Sequence, residues 1–263
     1  MTVTNTKFKN NKTCTICGKD YISKKTPKPE AWGGGFWIVE IPQCTCEADI
    51  DVKNKSEIRA KEEADYKRKI LQEKFKNAQI PPIYFGLELN SDYFTDIRKD
   101  EPKAFAEMQW WSDSFRPETA KGIIIVGDIG RSKSSIIGAI ANNIIKKGYN
   151  CLFTTFGDLL DDFASAAKND ASINKLLYWL CEFDCIILDD LGHETYNTSK
   201  RMELAFRIVD TLFKNKKCVL VTAQKDKIEA LKGNRSLDML RDRLHTMCPH
   251  SYFFEGLSYR RKK

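Results

Sequence analysis

Residues Lys121–Gly148 read K-G-I-I-I-V-G-D-I-G-R-S-K-S-S-I-I-G-A-I-A-N-N-I-I-K-K-G, and the fold turns on how this stretch is interpreted. The apolar run Ile123-Ile124-Ile125-Val126 has the character of a buried parallel strand. It breaks at Gly127 and passes through a short polar loop. A helical pattern follows, with Ile136, Ile137, Ile140, Ala141, Ile144 and Ile145 on one face and Gly148 as the stop. Strand, loop and helix in this order form the setting of a phosphate-binding loop. Loop amides and the positive end of the helix would cradle phosphate oxygens, with Gly127, Asp128, Ile129, Gly130, Arg131, Ser132, Lys133, Ser134 and Ser135 as the lining. Lys133 would reach the β and γ phosphates, and the Ser134 hydroxyl would help hold Mg²⁺.

One position departs from the pattern G-x-x-x-x-G-K-[ST]. Ser132 stands where the second glycine is required. Glycine there permits positive φ and a close approach of backbone to phosphate; serine in that conformation costs about 1–2 kcal/mol.

Working outward, Cys151–Thr155 (CLFTT) reads as a second strand, with Asp158 as the expected cap of the next helix. Cys185-Ile186-Ile187-Leu188-Asp189-Asp190 is an apolar strand ending in two carboxylates, the chemistry needed opposite a phosphate loop. Asp189 would complete the Mg²⁺ shell and Asp190 would orient the attacking water. A helix over about 199–214, a strand at Cys218–Thr222, a short helix over 236–245 and a last strand at 251–255 complete an α/β pattern with a parallel sheet.

Before this core, Cys14-x-x-Cys17-Gly18 has the form of a zinc knuckle, and Cys44-x-Cys46 follows a hairpin-like segment with a strand from Phe36. Four thiolates suit a closed tetrahedral structural zinc site. So short a segment has little core of its own, and the metal would supply much of its folding energy. The remaining five cysteines lie in apolar segments and read as small buried hydrophobes of a reducing, cytoplasmic protein. Residues 54–79 are charge-dense, with Ala60, Ala64, Leu71, Phe75 and Ala78 at helical spacing, and Ile80-Pro81-Pro82 ends that helix. The expected division is therefore a zinc module over 1–53, a linker helix over 54–80 and a nucleotide-binding domain over 81–263.

The 263 residues are 42% apolar and 30% charged, as in a soluble globular protein, and no apolar run approaches a membrane span. The polar first residues do not resemble a signal peptide. The net charge of +7 is uneven: Lys200–Lys263 holds 16 basic against 7 acidic side chains. That bias suggests an acidic partner, most simply nucleic-acid phosphates.

Together these segments resemble the DnaC/DnaI-type helicase loaders and their transposition-helper relatives of the IstB type, all AAA+ ATPases. GDIGRSKS, CIILDDLG, VLVTAQ, LRDRL and GLSYR fall in that family's order, and CTICG…CTC is similar to the zinc-binding, helicase-contacting module of the DnaI branch. The resemblance implies ATP or ADP with Mg²⁺ at Lys133, Ser134 and the pair Asp189-Asp190. It implies a sensor at Thr222 or Gln224, an arginine finger at Arg243 offered to a neighbouring subunit's ATP, and a nucleotide contact from Arg260. It also implies a hexameric replicative helicase and single-stranded DNA as partners, and side-by-side homo-oligomers. The readings that compete are a degenerate nucleotide-binding adaptor of the helicase, a transposition ATPase on duplex DNA, and a zinc-ribbon DNA-binding regulator. Ser132 and the missing sensor asparagine favour the adaptor; Lys133, Asp189 and Asp190 oppose it.

Overall fold

The computed structural model describes residues 8–27, 35–166, 170–193, 198–230 and 235–259. The chain divides into two compact units, Met1–Arg68 and Lys69–Lys263.

The first unit is a three-stranded antiparallel sheet, β1 (Phe8–Thr13), β2 (Asp20–Pro27) and β3 (Phe36–Pro42), in the order β1-β2-β3. Pairing of β2 with β3 runs unbroken from Tyr21↔Pro42 to Pro27↔Phe36. The strand expected from Phe36 is present, whereas β1 and β2 are not signalled by their sequence: FKNNKT and DYISKKTP carry no alternating apolar pattern. Residues 28–34, in the hairpin-like segment before Phe36, lie outside the described residues. Little is buried here among the described residues. Cys14, Tyr21 and Ser23 are, while Phe36 and Ile38 are 67% and 63% exposed.

The helix α1 (Cys46–Asn77) starts eight residues before the expected 54, directly at the last cysteine. Its Ala60 and Ala64 are exposed, so the expected apolar stripe is confined to its C-terminal end, where Leu71 and Phe75 pack on the second unit's core.

That second unit is a five-stranded parallel sheet in the order β5-β6-β7-β4-β8. The strands are β4 (Ile123–Gly127), β5 (Cys151–Thr155), β6 (Cys185–Leu191), β7 (Cys218–Ala223) and β8 (His250–Phe254). All five were expected, β8 without a continuous apolar run. Placing β4 between β7 and β8 brings the first βα turn beside the ends of strands remote in sequence, the arrangement that makes a ligand crevice.

Helices cover both faces: α2 (Thr95–Asp100), α3 (Pro102–Ser114), α4 (Lys133–Lys146), α5 (Phe156–Ala166), α6 (Asp170–Leu180), α7 (Ser199–Lys214), α8 (Lys225–Ala230) and α9 (Arg235–Met247). One core layer joins the sheet to α5, α6, α7 and α9, the other to α3 and α4. Phe105, Met108 and Trp111 of α3 point inward. Helix α4 is buried on more than the one face its pattern suggests. Its outer side is covered by the segment before α2, where Asn142 donates to the carbonyls of Tyr84 (2.8 Å) and Leu87 (3.0 Å). The cap of α5 is Thr155 rather than Asp158: the Asp158 amide donates to Thr155 Oγ1 at 3.0 Å, and the Thr155 hydroxyl donates back to Asp158 Oδ2 at 2.7 Å. Cys151, Cys185, Cys218 and Cys248 are buried as expected, and Cys181 is half-buried. No helix among the described residues is long and apolar enough to cross a membrane.

Candidate nucleotide site and cysteine cluster

The loop between β4 and α4 has the conformation of a phosphate nest. Gly130 has φ +80°, and Ser132 has φ +59° with ψ 18°. The serine thus occupies the left-handed region that the sequence pattern assigns to glycine, with the strain expected there. Gly127 lies against β8: a Cβ there would come within 2.1 Å of the Phe254 carbonyl oxygen.

Lys133, buried at the first turn of α4, folds back to donate to the carbonyls of Gly127 and Asp128, both at 2.8 Å. Its ammonium is therefore held inside the loop, close to where phosphate oxygens would sit. Ser134 donates to Asp189 Oδ1 at 3.0 Å. The loop, the helix start and the acidic end of β6 converge as the sequence predicted.

The acidic pair is built by an irregularity. The pairing of β6 with β7 shifts register between Leu188 and Leu191, and Asp190 sits in that shift with φ +53°. Its amide leaves the ladder and donates to Thr222 Oγ1 at 3.0 Å, while the Thr222 hydroxyl donates to Asp189 Oδ1. One buried hydroxyl on β7 thus fixes both neighbouring aspartates. Burial raises the pKa of Asp189; the hydroxyls of Thr222 and Ser134 work against that shift, and the charge of Asp190 adds to it. A buried carboxylate so placed favours a cation beside it. Of the two sensor candidates, Thr222 makes this contact; Gln224 lies half-buried two residues beyond.

Ser135 is buried, and its hydroxyl meets that of Tyr93 at 3.1 Å. Tyr93 comes from the turn before α2 and carries no motif that sequence reasoning could use. Ile129 is exposed at the loop's outer edge. Arg131, expected to line the phosphate site, has its guanidinium engaged elsewhere: Asp100 Oδ2 at 3.1 Å, Glu101 at 3.8 Å, the Leu257 carbonyl at 3.4 Å and the Tyr259 ring at 4.2 Å. The side chain is held by protein carboxylates, and its contribution to the nest is that of its backbone.

Arg243, the expected finger, lies on α9 with Nε 3.2 Å from Asp210 Oδ1 and its guanidinium 4.5 Å over the Phe213 ring. None of its hydrogen bonds or ion pairs is to the phosphate loop. Burial alone would raise the Asp210 carboxyl, but hydrogen bonds from Lys214 and Arg243 hold it below the usual range. Arg260 lies outside the described residues.

In the first unit the sulfur atoms of Cys14, Cys17, Cys44 and Cys46 all lie within 4.8 Å of one another. The turn that gathers the first pair is closed by Cys14 N to Lys19 O (2.8 Å) and Gly18 N to Cys14 O (2.9 Å), with Gly18 at φ +70°. The Lys19 amide and the Cys44 thiol lower the Cys17 pKa to about 7. Four convergent thiols, one of them readily ionised, fit a tetrahedral thiophilic metal such as zinc.

A five-stranded parallel sheet flanked by helices, with a lysine-bearing loop whose Ser134 bonds Asp189 of another strand, has the architecture of a P-loop nucleotide-binding fold. Residues 45–263 match the IstB-like ATP binding protein family, and the chain belongs to it. Among curated proteins it is similar to the replicative helicase loader DnaI of Bacillus subtilis, 24% identical over 146 residues, which are 54% of this chain and 47% of that protein. It is also similar to a putative insertion sequence ATP-binding protein of Sinorhizobium fredii, 27% identical over 173 residues, or 64% of this chain and 54% of the relative. The chain thus spans about half the length of these two relatives. Among solved structures, the DnaC helicase loader superposes with a TM-score of 0.54 at 20% identity, covering 66% of this chain and 99% of that one. DnaI superposes with a TM-score of 0.53 at 18% identity, covering 68% and 94%.

Proposed function

We propose that this protein is an ATP-dependent loader that places a hexameric replicative DNA helicase on single-stranded DNA. The observation that carries the reading is the pairing, in one chain, of a four-thiol cluster with a phosphate nest facing Asp189 and Asp190. The proposed division is a zinc module over 1–53 that engages the helicase, a linker helix over 54–80 and an ATPase domain over 81–263.

In this reading Lys133 exchanges its hold on the Gly127 and Asp128 carbonyls for the β and γ phosphates of ATP. Ser134 and Asp189 would hold Mg²⁺, whose role is to neutralise charge on the phosphates. Thr222 keeps Asp189 oriented, and Asp190 positions the attacking water. Cys14, Cys17, Cys44 and Cys46 would hold zinc, which supplies structure and no chemistry. Arg243 would complete a neighbouring subunit's site, which requires release of its bond to Asp210 when subunits assemble. Arg260 and Gln224 remain candidate nucleotide contacts, and the basic C-terminal third a candidate surface for single-stranded DNA.

The test has two parts. ATP turnover is measured with helicase and single-stranded DNA, on wild type and Lys133→Ala; the proposal requires that the variant lose it. Equal turnover in both leaves a non-enzymatic adaptor, the reading that the strained Ser132 favours. Helicase capture is then compared for wild type and Cys14→Ser, and the proposal requires that the variant release it. The transposition-helper reading has the family and the Sinorhizobium relative behind it. Three of the four clustered cysteines lie before residue 45, where the family match begins, and this favours the loader.

A further inference from the structure

Arg131 sits between two residues in left-handed conformation, on a loop that should be open to solvent, yet its side chain is only 4% exposed. A guanidinium buried to this degree has to be paired, and its pairs come from two segments remote in sequence. Asp100 and Glu101 come from the junction of α2 and α3; the Leu257 carbonyl and the Tyr259 ring come from the strap that follows β8.

This strap runs along the phosphate loop in direct backbone contact. Asp128 N donates to Phe254 O at 3.0 Å, Tyr259 N to Gly130 O at 3.1 Å, and Gly256 N to the Asp128 carboxylate at 2.9 Å. A Cβ at Gly130 would stand 1.9 Å from Ser258 Oγ. The Tyr259 hydroxyl closes the circuit by donating to the same Asp100 oxygen that Arg131 holds, at 2.7 Å. Loop, arginine, aspartate, tyrosine and loop thus form a closed ring. The peptide groups of residues 130–132, which would turn toward phosphate, cannot move without displacing Gly130 O, the Tyr259 amide and the Arg131 side chain together.

We infer that Arg131 is a positioning residue that locks the phosphate loop to the strap 254–259 through Asp100 and Tyr259, so that nucleotide in the loop is felt in that strap. The inference rests on the ATP-binding reading above. It assigns Arg131 no contact with nucleotide.

Two measurements test it together: MgATP affinity by calorimetry, and amide exchange at Gly256 and Tyr259 with and without a non-hydrolysable ATP analogue. In the wild type the analogue should slow exchange at both amides by about tenfold or more. Tyr259→Phe, which removes the hydroxyl that donates to Asp100, should weaken MgATP roughly three- to tenfold and remove the analogue's effect on exchange, with the nucleotide-free melting temperature within about 2 °C of wild type. Arg131→Ala should weaken binding further, and the double variant should be no weaker than Arg131→Ala alone, because the two side chains act through one aspartate. Should Arg131→Ala fail to fold, Tyr259→Phe decides alone. Wild-type affinity in Tyr259→Phe, or exchange indifferent to nucleotide in the wild type, overturns the inference while leaving ATP binding in place. A wild type that binds no MgATP overturns the nucleotide reading itself, and this inference with it.

Discussion

The two units of this chain are held by different physics. The core over Lys69–Lys263 has two thick apolar layers, with most of its strand residues buried, and hydrophobic burial at about 25 cal/mol per Å² is enough to stabilise it. Among the described side chains of the N-terminal sheet few are buried, and Phe36, Ile38, Val39 and Ile41 of β3 are all exposed. Four sulfur atoms converge in it instead, in a cluster that could hold a metal ion. One unit should therefore depend on metal and ignore nucleotide, and the other should do the reverse.

The largest expected effect is on the metal side. Removing zinc with a strong chelator should unfold residues 8–45 while the core's helical circular dichroism and ATP binding persist, since structural zinc contributes on the order of 10 kcal/mol to so small a fold. A sheet that keeps its dispersed amide spectrum after chelation would break the comparison. The converse variant, Lys133→Ala, should lower ATP turnover by about 10²–10³-fold and leave zinc content unchanged, as measured by metal analysis.

Within the core, Asp189→Asn should abolish the Mg²⁺ dependence of nucleotide binding. It should also raise the nucleotide-free melting temperature by about 2–4 °C, because an ionised carboxylate is no longer buried. A melting temperature that falls would show that the hydroxyls of Thr222 and Ser134 already compensate its burial in full.

Smaller still is Ser132→Gly. Relief of the left-handed serine, about 1–2 kcal/mol, is partly offset by glycine's greater freedom in the unfolded chain, about 0.5–1 kcal/mol. Slightly higher stability and tighter ATP binding are expected; unchanged affinity would mean that the serine is not strained in the bound state. The smallest effect concerns pH. The Asp210 pKa is lowered in the fold, so its pairing with Lys214 and Arg243 is fully present above the unfolded carboxylate value near 3.9 and is lost as pH falls through the lowered one. Asp210→Asn should flatten the acid limb of the stability curve below about pH 4 by under 1 kcal/mol. Parallel curves for wild type and variant would assign the pair no weight.

How far the sequence could be read follows the same division. The central strands β4, β6 and β7 are legible because a parallel strand buried on both faces must be continuously apolar, as Ile123–Val126 and Cys185–Leu188 are; the edge strands β5 and β8 are partly exposed and less continuously apolar. The first two strands of the N-terminal sheet are not legible, since FKNNKT and DYISKKTP carry no alternating apolar pattern. The capping of α5 by Thr155 was missed because threonine and aspartate three residues apart form a reciprocal pair, and either one can be taken for the cap from sequence.

By itself the sequence determined the α/β order, the phosphate nest with Lys133 and Ser134, the facing acids Asp189 and Asp190, and the two cysteine pairs. These are local signals, carried by residue type and spacing within a few positions of one another. Only the tertiary structure decided that Asp190 sits in a register shift pinned by Thr222, that Tyr93 meets Ser135, and that Arg131 is claimed by Asp100 and Tyr259. Each of these joins segments some 30 to 130 residues apart, and a partner at that distance is set by the order of strands in the sheet, which no short stretch of chain encodes.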